Sequence, residues 1–241
     1  MTAPETPPAV ATAAIPEGPA PGESMIRFDR VRSGRDGRLF GHAAAFMRRG
    51  RDGTLVLGPS FAGDGADGRP PDVGSLIGFV RRILTETAAF ADDGAGRTEK
   101  GKLIVPIPAF ALALKEPAGV FTELCRRHAG VFEDRLMVEM CALPAGANLS
   151  LIDDAAIILY AFSPVYLARV PPSWRDFKIF SNANVYGVSV HMSDSGAAAL
   201  ADWVAAAQRW RLVTIAHGVD DPDRTLAANT FNFDYLSGKA V

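Results

Sequence analysis

Three side chains able to hold a metal or move a proton, Glu139, His191 and His217, stand at or near the ends of short apolar runs. Two imidazoles and one carboxylate are a recognised ligand set for iron or zinc. They could act together only if the three runs were strands whose ends share a rim. Alternatively, the histidines fill polar space and hydrogen-bond to the backbone or to Glu139. Arg169, just ahead of Pro171 and Pro172, could grip a phosphate or carboxylate, or form an ion pair with Glu139, which is the preferred reading. The Arg48-Arg49-Gly50-Arg51 cluster could be a basic contact patch, but it is expected in a turn where solvated charge is ordinary. No Ser-His-Asp or Cys-His-Asp arrangement can be assigned. Cys125 and Cys141 lack the paired spacing of a zinc or redox motif and read as small buried hydrophobes. The glycine-rich stretch Gly63 to Gly68 lacks the strand-to-helix context of a phosphate cradle and is given no nucleotide role.

The elements that must position these groups repeat one theme. A tail over 1–24, rich in Pro and Ala, has too little apolar surface to offset its ordering entropy and is expected to be disordered. A single domain over 25–241 then opens with a hairpin, Ile26 to Val31 and Leu39 to Phe46. A small strand over Thr54 to Leu57 and a Gly/Pro/Asp-rich loop over Gly58 to Pro71 come next. A helix begins after Asp72, a suitable N-cap. Strands are predicted at Leu103 to Ile107, Leu136 to Cys141, Val165 to Val170, Val185 to Met192 and Leu212 to Ala216, with Tyr235 in a last short one. Helices are predicted at Ala118 to Ala129, Leu149 to Phe162, Ser195 to Trp210 and Asp221 to Ala228, with a weaker helix or irregular crossover over Pro171 to Asn184. Apolar strands separated by helices imply parallel strands buried on both faces, and six or seven such units favour a closed α/β barrel of about 250 residues. Trp203 and Trp210, seven apart on one helix, are both expected in the core.

The chain has 48% hydrophobic and 22% charged residues and a formal charge of -2, which gives no footprint for nucleic acid. No stretch reaches the roughly eighteen apolar residues of a membrane span, and no secretory leader is apparent. A cytoplasmic location is expected.

The run Val213-Thr214-Ile215-Ala216-His217-Gly218-Val219-Asp220, followed by Phe233-Asp234-Tyr235-Leu236-Ser237-Gly238, resembles the end of an EAL domain. There, one strand leads into Ala-Glu-Gly-Val-Glu and a later one into Gln-Gly. In that register the resemblance extends over nearly the whole chain from Met25. Phe28-Asp29-Arg30-Val31 is similar to the opening Tyr-Gln-Pro-Ile, and Gly41 to Met47 stands where the Glu-Ala-Leu signature belongs. Val105-Pro106-Ile107-Pro108 is similar to Val-Asn-Leu-Ser, and Leu136 to Ala142 to Leu-Glu-Leu-Glu-Ile-Thr-Glu. Arg169-Val170-Pro171-Pro172 and Val188-Ser189-Val190-His191 stand for Asp-Asp-Phe-Gly and Leu-Lys-Ile-Asp. The resemblance implies an EAL-type modified TIM (β/α)8 barrel, the scaffold of cyclic di-GMP phosphodiesterases, whose divalent cations activate the attacking water.

The spacing agrees while the functional residues do not. Ala43 stands for the signature Glu, Pro106 for the Asn, Arg169 and Val170 for the Asp pair, Ser189 for the Lys, His191 for the following Asp, and His217 for the late Glu. Glu139 alone matches a metal ligand of the family. The Arg after the signature is Met47, with Arg48 one place out of register. The resemblance therefore implies a degenerate, non-catalytic EAL domain with no metal and no cofactor, acting as a regulatory or protein-interaction module in bacterial signalling. Its protein partner is unidentified and a homodimer is left open. The alternative is a receptor that binds cyclic di-GMP or a related nucleotide without hydrolysing it, through Arg48, Glu139, Arg169, Ser189, His191 and His217 in the barrel mouth. Two changed residues in a decayed site are weak evidence for a new metal centre, so the histidines are read as space-filling. Trp174, Phe177 and Phe180 lie in a region resembling the one where the family couples dimerisation to its site and are candidates for an interaction surface, with core packing the equal alternative.

Overall fold

The computed structural model describes residues 23–49, 55–57, 72–144, 147–194 and 197–241. Most of the expected tail, the loop over 58–71 and the Gly63 to Gly68 stretch lie outside the described residues.

The chain opens with the hairpin of β1 (Ser24–Ser33) and β2 (Leu39–Arg49), with β3 (Leu55–Leu57) paired antiparallel to the far end of β2. Then α1 (Val73–Asp92) and the short α2 (Gly94–Thr98) precede β4 (Lys102–Pro108). After α3 (Ala109–Ala113), α4 (Lys115–Arg127) and α5 (Ala129–Phe132) comes β5 (Leu136–Cys141). Next are α6 (Leu149–Leu159), β6 (Leu167–Arg169), α7 (Lys178–Asn182) and β7 (Gly187–His191). The chain ends with α8 (Ala197–Arg209), β8 (Val213–His217), α9 (Pro222–Thr230) and β9 (Tyr235–Ser237).

The sheet order is β1-β9-β8-β7-β6-β5-β4-β2, and the β1–β2 pairing closes it into an eight-stranded barrel. Only β1 runs against its two barrel neighbours; every other barrel pair is parallel. Closure is tight at Gly41, where a Cβ would lie 2.0 Å from the Lys102 carbonyl oxygen, so only glycine lets β2 reach β4. No described helix is long and apolar enough to cross a membrane.

Two apolar layers follow from the two faces of each strand. One lies between barrel and helices and holds Phe121, Phe177, Phe180 and Trp203. The other plugs the barrel interior with Val31, Ala43, Ile104, Met137, Leu167 and Ile215, each from a different strand. Phe177 and Phe180 are fully buried and Trp174 packs against Phe180, so of the two readings of this segment core packing holds and the interaction surface does not. Trp210 also departs from expectation, being 38% exposed. It falls one residue past the end of α8, and Arg211 then turns the chain with a φ of 60°, so helical spacing no longer sets where Trp210 points. Arg48 and Arg49 continue β2 instead of standing in a turn, because Val56 and Leu55 pair with them.

The starts of α1, α2, α6 and α9 carry side-chain caps. Asn148 Oδ1 accepts from the Leu151 N–H at 3.1 Å, satisfying one of the free donors at the start of α6. We expect Asn148→Ala to lower stability by about 1 kcal/mol, seen as a lower urea midpoint at unchanged slope.

Candidate functional site

Strand alternation builds the site one layer above the apolar plug. Side chains two apart on a strand share a face. Glu139 therefore follows Met137 inward on β5, Arg169 follows Leu167 on β6, and His217 follows Ile215 on β8. On antiparallel β1 the same layer is reached two residues before Val31, at Asp29. These positions lie toward the C-terminal ends of the parallel strands, the rim that carries chemistry in barrels of this kind.

Glu139 is fully buried and bonded on both oxygens. Its Oε1 accepts from Ser189 Oγ at 2.5 Å and from His217 Nε2 at 2.7 Å, while its Oε2 is ion-paired with the Arg169 guanidinium. Burial alone would push this carboxyl up. The Arg169 and His217 charges and the hydrogen bonds from His217 and Ser189 outweigh that penalty and hold it well below the usual carboxylate range. An ionised carboxylate only accepts, so Ser189 and His217 both act as donors to it.

His191, at the end of β7, sits beside His217 in register but does not reach Glu139 by any hydrogen bond. Its Nδ1 accepts from the Ser193 N–H at 3.3 Å and lies 2.7 Å from Ser193 Oγ. That arrangement leaves the imidazole neutral with its proton on Nε2. Burial, followed by the nearby His217 and Arg169 charges, pushes its pKa down to about 4. Gly218, at φ 73°, lies flush against this ring: a Cβ there would be 2.3 Å from Cε1.

A second ionic layer closes the mouth. Arg27 holds Asp29 through two contacts of 2.5 and 2.7 Å and approaches Asp220 at 3.5 Å. The space left between this layer and Arg169, His191 and His217 is about 20 Å³, room for one water at most. Sequence reasoning overlooked Arg27 and Asp29, although the alternation that places Val31 in the barrel also turns Asp29 inward. Of the six expected site residues, Glu139, Arg169, Ser189 and His217 form one bonded cluster and His191 lies against it. Arg48 does not join, since it lies near the far end of β2 and does not line the mouth.

The donor set does not fit the divalent cations that the family resemblance implies. Among the described residues no group of three or more His, Cys, Asp and Glu is arranged to hold a metal ion. The one matching carboxylate already has its oxygens taken by three donors, one of them a cation. Cys141 is buried beneath the rim and Cys125 lies in the helix layer. Burial pushes both thiols up to about 12, which leaves them protonated.

No family model and no curated protein matches this sequence. Solved structures do match its fold. The EAL domain protein from Listeria monocytogenes is 11% identical with a TM-score of 0.61, over 89% of this chain and 85% of that one. The EAL enzyme Bd1971, bound to cAMP and cyclic di-GMP, is 10% identical with a TM-score of 0.62, over 90% of this chain. The chain spans only 60% of the length of Bd1971. The FimX EAL domain of Xanthomonas citri, in complex with cyclic di-GMP, is 14% identical with a TM-score of 0.59, over 90% of this chain and 86% of that one. The fold of this chain is thus the mixed α/β barrel of EAL domains.

Proposed function

We propose that this chain is a degenerate EAL domain that neither hydrolyses nor binds cyclic di-GMP and serves as a regulatory, protein-interaction module in bacterial signalling. The observation that carries the reading is the filled mouth. Glu139, Arg169, Ser189 and His217 satisfy one another, and about 20 Å³ remains beside them. Ligand pockets for small molecules run to several hundred Å³. A nucleotide could enter only by breaking a buried ion pair and leaving the Glu139 carboxylate uncompensated. Hydrolysis fares no better, since two-metal chemistry needs several oxygen ligands, and Pro106, Val170 and Ala43 replace donors with groups that cannot coordinate.

Calorimetric titration of the full chain with cyclic di-GMP, in magnesium and again in EDTA, tests this reading. We expect no saturable heat in either condition. Saturable binding at low micromolar affinity would make the chain a receptor and overturn it. A module of this kind acts through its outer surface, so a partner protein is the expected binding event.

A further inference from the structure

Opposite the Glu139 cluster, at the N-terminal ends of β8 and β9, the barrel carries a cleft of about 560 Å³, within the roughly 300–1,000 Å³ typical of small-molecule sites. Three segments remote in sequence meet there: the β1–β2 turn, the passage from α8 into β8, and the passage from α9 into β9. Each contributes polar groups, namely Arg35, Gln208 with Arg211, and Asn229 with Asn232 and Asp234.

Gln208, Asn232 and Asp234 are held in place, while the two guanidiniums are largely unspent. Asp234 Oδ2 accepts from the Thr214 N–H at 3.0 Å and from Thr214 Oγ1 at 3.1 Å, which ties the cleft to β8. Its Oδ1 draws Arg35 to 3.4 Å, a loose contact for a guanidinium that stays 84% exposed. Gln208 Nε2 donates to the Asn232 carbonyl at 3.0 Å and fixes that turn. The Arg211 guanidinium makes no hydrogen bond or ion pair among the described residues. Arg211 and Asn232 both adopt left-handed backbone, with φ of 60° and 57°. Asn tolerates that region well and Arg does not, whereas glycine would meet the turn's demand without strain. Arg211 thus lines this cleft from a backbone conformation that glycine would adopt more readily.

We propose that this cleft binds a small organic phosphate monoester. The phosphate sits between Arg35 and Arg211, and the amides of Asn229 and Asn232 meet the hydroxyls of the organic body. Beside Asp234, whose carboxylate already draws Arg35, the two guanidiniums still leave the cleft net positive for a monoester of close to −2 at pH 7, and its terminal oxygens suit their planar donor forks. The volume accommodates a sugar phosphate or a mononucleotide, and a bare anion would leave the amides unused. This site is independent of the function assigned to the mouth.

Calorimetry on the full chain would use glucose 6-phosphate and adenosine 5′-monophosphate as probes, with inorganic phosphate as the control. We expect saturable binding of at least one monoester, about tenfold or more tighter than inorganic phosphate, and a loss of about tenfold or more in both Arg211→Gly and Arg35→Gln. Glycine suits the backbone at 211, and Arg35 is exposed, so each variant removes a guanidinium without threatening the fold. Failure of both monoesters to saturate below about 5 mM, equal binding of inorganic phosphate, or an affinity that either substitution leaves unchanged would overturn the proposal.

Discussion

Replacing Arg169 with Met is expected to destabilise the protein by about 3–5 kcal/mol, because it leaves the Glu139 carboxylate buried without its cation. Glu139 is fully buried, so water cannot take the place of the lost guanidinium, and Ser189 and His217 bind only one of its two oxygens. The effect is asymmetric. Glu139→Gln keeps the shape and removes the negative charge facing Arg169, but Arg169 is 22% exposed and can turn toward solvent, so this variant should lose less. Joining the changes, as in Glu139→Met with Arg169→Met, should restore much of the loss, since no buried charge is left behind. The Arg169→Met protein should also become less acid-sensitive, its deficit against the native protein being largest near neutral pH and shrinking as pH falls. In the native protein the depressed pKa of Glu139 gives stability that is fully present above the unfolded value of about 4.3 and is lost only as pH falls toward the lower folded value. Without Arg169 the folded value rises and most of that contribution disappears. Urea unfolding of the three variants at pH 7 measures this. A loss below about 1 kcal/mol for Arg169→Met would show that the ion pair contributes little and that the mouth opens readily.

The filled mouth was partly legible in the sequence. The Arg169–Glu139 pairing and the space-filling role of His217 follow from placing a lone carboxylate, a guanidinium and an imidazole at three strand ends. The barrel itself was legible because each parallel strand is buried on both faces and reads as an apolar run, as β5 does over its whole length. Short Ala-rich α3 was not anticipated, since five residues following a strand carry no helical period. Phe177 and Phe180 could not be assigned between surface and core because their segment has no clear period; only tertiary packing, of Phe177 on Trp203 and of Phe180 on Trp174, shows why they are apolar. Arg48 was misjudged for a related reason. Basic residues before a glycine suggest a turn, and the partner that makes them strand, β3, is only three residues long. The cleft of Arg35 and Arg211 was not legible at all, since its walls come from turns near positions 35, 211 and 232 whose meeting depends on barrel closure.

The second large effect concerns pH. The His191 imidazole is neutral in the folded protein, with its pKa displaced from 6.5 to about 4 by burial and by the neighbouring His217 and Arg169, with Arg224 adding to the effect and Asp220 opposing it. Between those values the unfolded chain binds a proton that the folded one does not, so stability falls as pH drops from about 6.5 to about 4. At about 1.4 kcal/mol per unit the displacement corresponds to about 3 kcal/mol, and the exposed edge of the ring brings the expected loss to about 2 kcal/mol. Glu139 stays ionised in the folded protein throughout this window, and because its unfolded carboxyl titrates near 4.3 it adds to the slope only at the acid end, below about pH 5. His191→Phe keeps a ring against Gly218 but cannot titrate, so its urea midpoint should vary less between pH 6.5 and 4.5 than that of the native protein. Parallel profiles for the two proteins would mean that the imidazole takes up its proton without disturbing the fold. The rim around Gly218 would then be more open to water than the packing there indicates.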